Sequence, residues 1–235
     1  MRVEHIGDAT LYLGDCLEIL PTLGKVAAIV TDPPYGIGVD ATMSKQSGTQ
    51  YGRALAPKAH YESTNWDSAP PPKSTLDLLR SLSLFQIFWG GNYFELPPSR
   101  GWLVWDKLNG TNMFADCELA WTNLDIAVRK KAHLWNGMLR QGHEAREGHP
   151  TQKPVALMQW CLGFLPDAET ILDPFMGSGT TGVACANLGR KFIGIEIEPK
   201  YFDIACNRIE EAYKQPRLFE DKEIEPVQND LFGEA

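Results

Sequence analysis

The chain of 235 residues, with 43% hydrophobic and 22% charged residues, has the composition of an ordinary globular protein and can bury one sizeable core. No apolar run approaches the ~20 residues of a membrane helix, and the first residues lack the charged-then-apolar pattern of a secretory signal. The five cysteines form no CxxC pair, which argues against a disulfide framework or a zinc site. We therefore expect one cytoplasmic domain over residues 1–235, with no metal and no membrane partner.

The net charge of −8 counts against nucleic acid as a partner, but the charge is unevenly distributed. Residues 129–153 contain six basic and two acidic side chains, whereas residues 210–235 contain eight acidic and three basic ones. We interpret residues 215–235 as a solvated acidic tail. The basic stretch, taken alone, is equally compatible with a solvated surface and with a contact for phosphate groups.

A strand covered on both faces is predicted at Val26–Thr31, because this run is continuous, apolar and rich in β-branched residues. It leads directly into Asp32-Pro33-Pro34-Tyr35, where two prolines must end the strand. Upstream, residues 10–13 predict a short strand and residues 16–20 a helical turn. Downstream, residues 37–72 lack periodicity and predict a long loop, which in a compact domain is usually functional or disordered.

The rest of the chain predicts strands alternating with helices, the pattern of an α/β fold with a mostly parallel sheet. Ser74 is expected as the N-cap of a helix, Pro154 as the first residue of another, and Gly189 as the residue that closes a third. The cysteines are expected to be small buried hydrophobes. The predicted strands are 84–89, 102–105, 118–122, 170–172 and 192–197, and the predicted helices are 74–82, 154–164, 180–188 and 199–213.

A glycine-rich turn, Gly177-Ser178-Gly179-Thr180-Thr181-Gly182, lies between a predicted strand and a predicted helix. Its glycines permit a tight turn and close approach of a ligand to the backbone. Glu196, about twenty residues beyond Gly177, ends the next strand and could accept hydrogen bonds from both hydroxyls of a ribose. The pattern predicts a site for an adenosine-containing cofactor, with an ordinary tight turn as the alternative.

Asp173, just before the glycines, would repel the phosphates of a dinucleotide but would suit the ammonium group of a methionine moiety. Too little chain follows Glu196 to complete the sheet, so we expect the strand at residues 10–13 to supply the missing neighbour. The order of the motifs is then circularly permuted, and Asp15 could receive the adenine amino group of the cofactor.

The motif Asp32-Pro33-Pro34-Tyr35 has the chemistry needed to activate an exocyclic amino group. The carboxylate of Asp32 and the carbonyl of Pro33 can accept the two amino hydrogens, which favours a tetrahedral nitrogen with an available lone pair. Pro34 stiffens the loop, and Tyr35 offers a flat face to an extruded base. An ordinary turn with a rim aromatic is the alternative for this motif considered alone.

These motifs, in this order, resemble the permuted β-class DNA amino-methyltransferases, and the stretches Trp89 to Phe94 and Val104 to Lys107 resemble small phage-type adenine enzymes. The resemblance implies a Rossmann-like fold dependent on S-adenosylmethionine, with helices on both faces of the sheet. It implies Asp32 to Tyr35 as catalytic residues and, through the segment from His149 to Pro154, contact of Thr151 and Lys153 with the methionine carboxylate. The cofactor residues that we expect are Asp15, Cys16, Asp32, Thr151, Lys153, Asp173, Pro174, Phe175, Gly177, Ser178, Gly179, Thr180, Thr181 and Glu196.

Double-stranded DNA is the expected partner, with a small target-recognition segment at residues 123–148 and the loop 37–72 closing over the duplex. A short recognition segment also leads us to expect a homodimer. The residues carry no information about a cognate restriction enzyme. Trp89 and Trp105 are expected to pack in the core. The basic side chains expected to contact phosphates or guanine edges are Arg129, Lys130, Lys131, Arg140 and Arg146.

The expected reaction is methylation of the N6 amino group of adenine by base flipping and direct in-line transfer. The nearest alternative is methylation of the N4 amino group of cytosine, which such enzymes more often perform with Ser at the position of Asp32. A nicotinamide-dependent oxidoreductase would leave the Asp32–Tyr35 motif unexplained. A DNA-binding module without activity is disfavoured because every residue of both motifs is present.

Overall fold

The computed structural model describes residues 1–38, 67–109, 115–135, 141–142, 144 and 151–215. Most of the loop predicted at 37–72 therefore lies outside the described residues, as do Arg140, Arg146, His149 and residues 216–235 of the acidic tail. None of the helices in the described parts of the chain is both long and apolar enough to cross a membrane.

The described residues form a nine-stranded sheet in the order β1-β2-β9-β8-β3-β4-β6-β5-β7. β2, β9, β8, β3 and β4 run parallel to one another. β1 pairs antiparallel with β2, β6 pairs antiparallel with both β4 and β5, and β7 pairs parallel with β5. The strands are β1 (Arg2–Ile6), β2 (Ala9–Leu13), β3 (Val26–Thr31), β4 (Ser83–Trp89), β5 (Trp102–Asp106), β6 (Cys117–Thr122), β7 (Arg129–Ala132), β8 (Thr170–Asp173) and β9 (Lys191–Glu196).

Helices cover both faces of this sheet, as predicted. In β3, Ala28 and Val30 pack in one core cluster while Val26 and Ile29 pack in the other, which explains why the strand reads as a continuous apolar run. The first cluster is covered by α3 (Val155–Leu162), α4 (Thr180–Asn187) and α5 (Pro199–Lys214). The second is covered by α1 (Cys16–Ile19) and α2 (Lys73–Leu82).

The permuted strand order is confirmed by the pairing of β2 with β9. The two strands run parallel, with Leu13 opposite Glu196, and the Gly14 amide donates to the Glu196 carbonyl at 2.9 Å. The strand that the cofactor half lacks downstream is therefore supplied by the beginning of the chain. This pairing also brings Asp15 to the same edge of the sheet as Glu196.

Two predicted helix starts differ from the structure, and one predicted helix end agrees with it. Pro72 rather than Ser74 is the N-cap of α2. Pro154 is the N-cap of α3 rather than its first helical residue, and the free amide of Val155 donates to Glu144 at 2.8 Å. Gly189 follows α4 with a φ of +68°, as a closing glycine should.

Three features were missed or wrongly predicted because neighbouring structure outweighs local composition. β1 pairs along its whole length with β2, although its sequence alternates only weakly. β7 is built from Arg129-Lys130-Lys131-Ala132, residues with little strand preference, and is held at the sheet edge by β5. Cys117 is exposed, contrary to the expectation that the cysteines are buried.

Replacing Leu157 with alanine should lower the free energy of unfolding by roughly 2–5 kcal/mol, because this side chain of α3 is fully buried in the core and its loss leaves a cavity. Leu84→Ala is the matched control, since Leu84 is 70% exposed and should change stability by less than about 0.5 kcal/mol. Urea unfolding followed by circular dichroism measures both. Equal changes in the free energy of unfolding for the two variants would contradict the packing of α3 in the core.

Candidate active site

The site lies at the carboxyl ends of β3 and β8, two adjacent parallel strands. From β8 the chain passes through α4 to β9 on one side, and from β3 it reaches α2 and β4 on the other. Such a reversal of strand order opens a crevice, the usual ligand position in α/β sheets. Here the crevice is a cavity of about 1070 Å³ lined by both sequence motifs.

Glu196 organises the cofactor half of this cavity. Its carboxylate accepts hydrogen bonds from the amides of Gly177 at 2.9 Å and Glu198 at 2.8 Å. Burial raises the pKa of Glu196 to about 7, although these amides favour the ionised form. Each oxygen keeps a further lone pair, so the side chain can still accept hydroxyl donors.

The glycine-rich turn needs its glycines for two different reasons. Gly177 and Gly179 have φ angles of +52° and +78°, in the left-handed region that favours glycine. Gly179 does not line the cavity; a Cβ there would lie 2.8 Å from Ala205 of α5. Arg208 braces the turn by donating to the Ser178 carbonyl at 2.7 Å and to the Thr180 hydroxyl at 3.1 Å.

Asp173 is almost fully buried and is held by groups of the protein itself. Its carboxylate accepts hydrogen bonds from the hydroxyls of Thr31 at 2.6 Å and Thr181 at 2.7 Å, and from the Phe175 amide at 3.2 Å. Burial raises its pKa to about 6. In this structure Asp173 therefore joins β3 to β8 and to α4 while also lining the cavity.

Asp32 follows β3 and is contacted by two other side chains of the site. The Tyr35 hydroxyl donates to one carboxylate oxygen at 2.6 Å, and the Lys153 ammonium donates to the other. Burial raises the pKa of Asp32, against the opposing effect of Lys153. Burial also raises the pKa of Tyr35, and the neighbouring Asp32 charge adds to this effect.

Lys153 is placed differently from the expectation that it approaches a methionine carboxylate. Its ammonium lies against Asp32, 3.1 Å from the Tyr35 hydroxyl and 3.2 Å from a carboxylate oxygen of Glu118. Glu118 in turn forms an ion pair with Lys107. Burial disfavours the charged form of Lys153, but the two carboxylates outweigh burial and raise its pKa.

The ring of Tyr35 is stacked on Tyr93, with centroids 4.8 Å apart and planes inclined by 15°. Gly90 makes this arrangement possible: its φ is +71°, and a Cβ there would lie 2.1 Å from the Tyr35 ring. One face of Tyr35 is thus occupied by another aromatic side chain. Tyr93 itself is 46% exposed and lines the cavity.

Asp67 fixes the backbone of the loop that carries Tyr35. One of its carboxylate oxygens accepts hydrogen bonds from the amides of Tyr35 and Gly36, each at 2.8 Å, and its carbonyl accepts one from Gly38 at 3.1 Å. Asp67 is 2% exposed. Asp67 lies shortly before α2, so the loop directly after β3 is held by a residue from the other end of the connection between β3 and α2.

The structure gathers nearly all the expected site residues into one cavity. Those that line it are Asp15, Cys16, Asp32, Pro33, Pro34, Tyr35, Thr151, Lys153, Asp173, Pro174, Phe175, Gly177, Ser178, Thr180, Thr181 and Glu196. Arg129, Lys130 and Lys131 lie outside it on edge strand β7, where Lys130 pairs with Asp106 at 3.1 Å. Trp89 and Trp105 are buried as expected, although Trp105 also lines the cavity.

Sequence reasoning missed Asp67, Glu118 and Arg208 as parts of the site. Each is a single charged residue without a motif around it, and each acts on the site across more than 25 residues of intervening chain. Lys107 had a weak signal, because it follows a strand end where ligand-facing side chains collect. Within the described part of the chain, no three His, Cys, Asp or Glu side chains converge as metal ligands.

Comparisons with known proteins show what this chain is similar to. A family model described as DNA methylase, of the N6 and N4 type, matches residues 97–207. The Type II methyltransferase M.HinfI of Haemophilus influenzae is 28% identical over 96% of this chain and 76% of that enzyme. The Type II methyltransferase M2.DpnII of Streptococcus pneumoniae is 48% identical, but over 33% of this chain and only 30% of that enzyme's length.

The fold likewise has a solved counterpart. The PvuII DNA methyltransferase, described as cytosine-N4-specific, superposes with a TM-score of 0.53 over 89% of this chain and 92% of that one, at 16% sequence identity. That likeness concerns the fold alone. The family match runs from just before β5 into α5, and together with the two motifs at one switch point it makes this chain similar to the N6/N4 DNA methylases.

Proposed function

We propose that this protein transfers a methyl group from S-adenosylmethionine to the N6 amino group of an adenine flipped out of double-stranded DNA. One observation carries the proposal: Asp32 and Glu196 line the same cavity, at the carboxyl ends of strands from the two halves of the sheet. An acceptor for an amino group thus lies beside an acceptor for ribose hydroxyls. The arrangement suits direct transfer, in which positioning and electrostatics supply most of the rate enhancement.

The cofactor half has the donors and acceptors that S-adenosylmethionine requires. Glu196 offers carboxylate oxygens to the ribose, Asp15 stands beside it for the adenine, and the cavity reaches Asp173 and the glycine-rich turn. When bound, S-adenosylmethionine would supply an electrophilic methyl group on a positively charged sulfur. The acidic lining favours such a cation.

Asp32 retains the capacity to bind the target amino group. A carboxylate has about four lone-pair positions, and Tyr35 and Lys153 each occupy one. A remaining position can accept one amino hydrogen while the Pro33 carbonyl accepts the other. The amino nitrogen would then become tetrahedral and direct its lone pair toward the methyl group.

Adenine is proposed over cytosine because residue 32 is an aspartate. Among the β-class DNA amino-methyltransferases that this chain resembles, the cytosine-methylating enzymes more often carry Ser at this position. The N4 amino group of cytosine remains the second candidate, and the solved fold counterpart is described as cytosine-N4-specific. The two bases present the same kind of amino group to Asp32. The identity of the modified nucleoside therefore separates the candidates.

DNA binding is proposed through the basic edge strand β7 and the segment that follows it. Arg129 and Lys130 are exposed, and their strand lies beside β5, whose carboxyl end reaches the cavity. Phosphate contacts there would offset the overall negative charge of the protein. Arg140 and Arg146 complete the proposed contact set, and a homodimer would allow two copies to hold more of the duplex.

Incubation with mixed-sequence duplex DNA and methyl-labelled S-adenosylmethionine, followed by nucleoside analysis, should yield N6-methyladenine. Asp32→Ala should reduce the rate at least about 10²-fold, because the amino group loses its carboxylate acceptor. Asp203→Ala is the control, since Asp203 on α5 is 57% exposed and does not line the cavity. N4-methylcytosine as the sole product would refute the choice of base, and absence of label would refute DNA methylation.

Binding of S-adenosylmethionine should weaken as the pH falls from 8 to 6. Glu196 has a pKa of about 7, so at lower pH it is protonated and must lose a proton before it can receive the ribose as a carboxylate. Calorimetric titration at several pH values measures this dependence. Glu196→Gln should bind more weakly at pH 8 and lose most of the pH dependence, whereas Glu210→Gln on the exposed face of α5 should behave like the wild type. A flat profile in the wild type would contradict the role of Glu196.

Asp67→Ala should slow methyl transfer about tenfold or more while leaving cofactor affinity nearly unchanged, because the loop carrying Tyr35 loses two hydrogen bonds. Asp67→Asn should be much less affected, since a single oxygen accepts both bonds and the amide keeps a carbonyl oxygen. Rates under single-turnover conditions and calorimetric titration distinguish the two effects. Equal losses in both variants would show that the negative charge, rather than the hydrogen bonds, is what matters.

A further inference from the structure

Four charged side chains, alternately acidic and basic, form a row in the wall of the cavity. In order they are Asp32, Lys153, Glu118 and Lys107, and we refer to them as the charge row. They come from the end of β3, the segment before α3, the start of β6 and the end of β5. All four line the cavity.

Glu118 is the member of the charge row that the proposed reaction does not yet use. It is 22% exposed and contacts Lys107 and Lys153, each of which is a cation largely removed from water. Burial would raise the pKa of Glu118, but the two ammonium groups hold it at about 2. It is therefore a permanently charged group inside a site where charge is costly unless paired.

We propose that Glu118 is a positioning residue for methyl transfer: it holds the Lys153 ammonium at the side of Asp32 and so keeps part of the Asp32 carboxylate available to the target amino group. This inference rests on the proposed function. The ammonium lies between the two carboxylates, 3.2 Å from Glu118. Among the described residues these are its two ion-pair partners, so without Glu118 it would be drawn onto Asp32 alone.

The same contact matters after the methyl group has moved. The amino nitrogen gains a positive charge as its lone pair forms the new N–C bond and sulfur retains the electrons of the broken C–S bond. One N–H bond then breaks, and the proton passes to an Asp32 oxygen, which leaves Asp32 neutral. Glu118 is then the remaining counter-charge of the buried Lys153 ammonium, which would otherwise be unpaired.

The test is Glu118→Gln, assayed for transfer of labelled methyl to duplex DNA in single turnovers from pH 5 to pH 9. We expect the plateau rate to fall about tenfold or more, with S-adenosylmethionine affinity changed less than about threefold. We also expect the fall in rate on the acid side of the pH profile, its acid limb, to shift to lower pH. Removing this negative charge lowers the pKa of Asp32, since Glu118 raises it.

The titratable and charged groups that face Lys153 and Glu118 are Asp32, Tyr35, Lys107 and the buried thiol of Cys161. Glu196 and Asp173, with pKa values of about 7 and about 6, also shape the profile, but both are retained in Glu118→Gln, so the difference between variant and wild type reports on Asp32. Burial raises the pKa of Cys161 to about 12, and the pKa of Tyr35 lies above its ordinary value, so neither titrates within the measured range. Loss of folded protein would lower the rate at every pH without displacing the acid limb. The limb therefore separates positioning from structural damage.

The double variant Lys107→Met with Glu118→Gln restores the charge balance and is the safeguard should the single variant fold poorly. A double variant that remains slow, with the limb still displaced, supports the proposal. Recovery of the wild-type rate and limb would overturn it, because Glu118 would then serve only to neutralise Lys107. Glu211→Gln is the matched control for an isosteric loss of one carboxylate at the surface, since Glu211 on α5 is 68% exposed.

The failure of this inference differs from failure of the proposed function. Wild-type protein that transfers no methyl group to DNA would overturn both. Wild-type protein that methylates DNA, with a Glu118→Gln variant of unchanged rate and unchanged acid limb, would overturn only the role of Glu118. A product modified on cytosine instead of adenine would leave the inference standing, because the same carboxylate would receive either amino group.

Discussion

The pairing of β3 with β8 is the contact on which the site depends. The two strands are separated by more than 130 residues of chain, and their parallel register places Thr31 beside Asp173. The 2.6 Å hydrogen bond between these side chains is buried and joins the strand ends directly before both motifs. The distance between the amino-group acceptor and the glycine-rich turn is therefore fixed by the central sheet rather than by loops. Positions on rigid strands suit a reaction in which two reactants must be aligned in line.

Sequence periodicity was sufficient to predict the strands and helices that carry the two motifs. β3, β8, α4 and β9 are each buried on both faces or closely packed, so their apolar patterns reflect their surroundings directly. The permutation could also be predicted, because the cofactor half lacked a strand. β7 could not be predicted, since its basic residues form a strand only through pairing with β5. For the same reason the position of Lys153 between Glu118 and Asp32 could not be predicted, because nothing local in the sequence reveals that these carboxylates lie on either side of it.

The electrostatics of the molecule divide the cavity into two halves of different character. The cofactor half contains Glu196 and Asp173, carboxyl groups whose pKa values burial raises to about 7 and about 6. The other half contains Asp32, whose pKa burial raises against the opposing effect of Lys153, and Glu118, whose pKa two lysines hold at about 2. The first half can thus offer carboxylate oxygens to a bound cation, whereas each carboxylate of the second half is already accompanied by an ammonium group. With the DNA contact proposed for β7, the charge near the substrate would be set by local pairs and by this basic edge strand rather than by the total charge of the protein.

The supply of β2 from the beginning of the chain has a consequence for synthesis on the ribosome. Leu11 lies opposite Gly194, so the strand has no parallel partner until more than 180 further residues have been translated. β1 can cover one of its edges early, but the other edge stays open. Contacts so distant in sequence form late and slow the folding of a domain. The hairpin of β1 and β2 must therefore remain soluble with one unpaired edge until β9 has been synthesised, and the cofactor half is completed only after the residues between them have been translated.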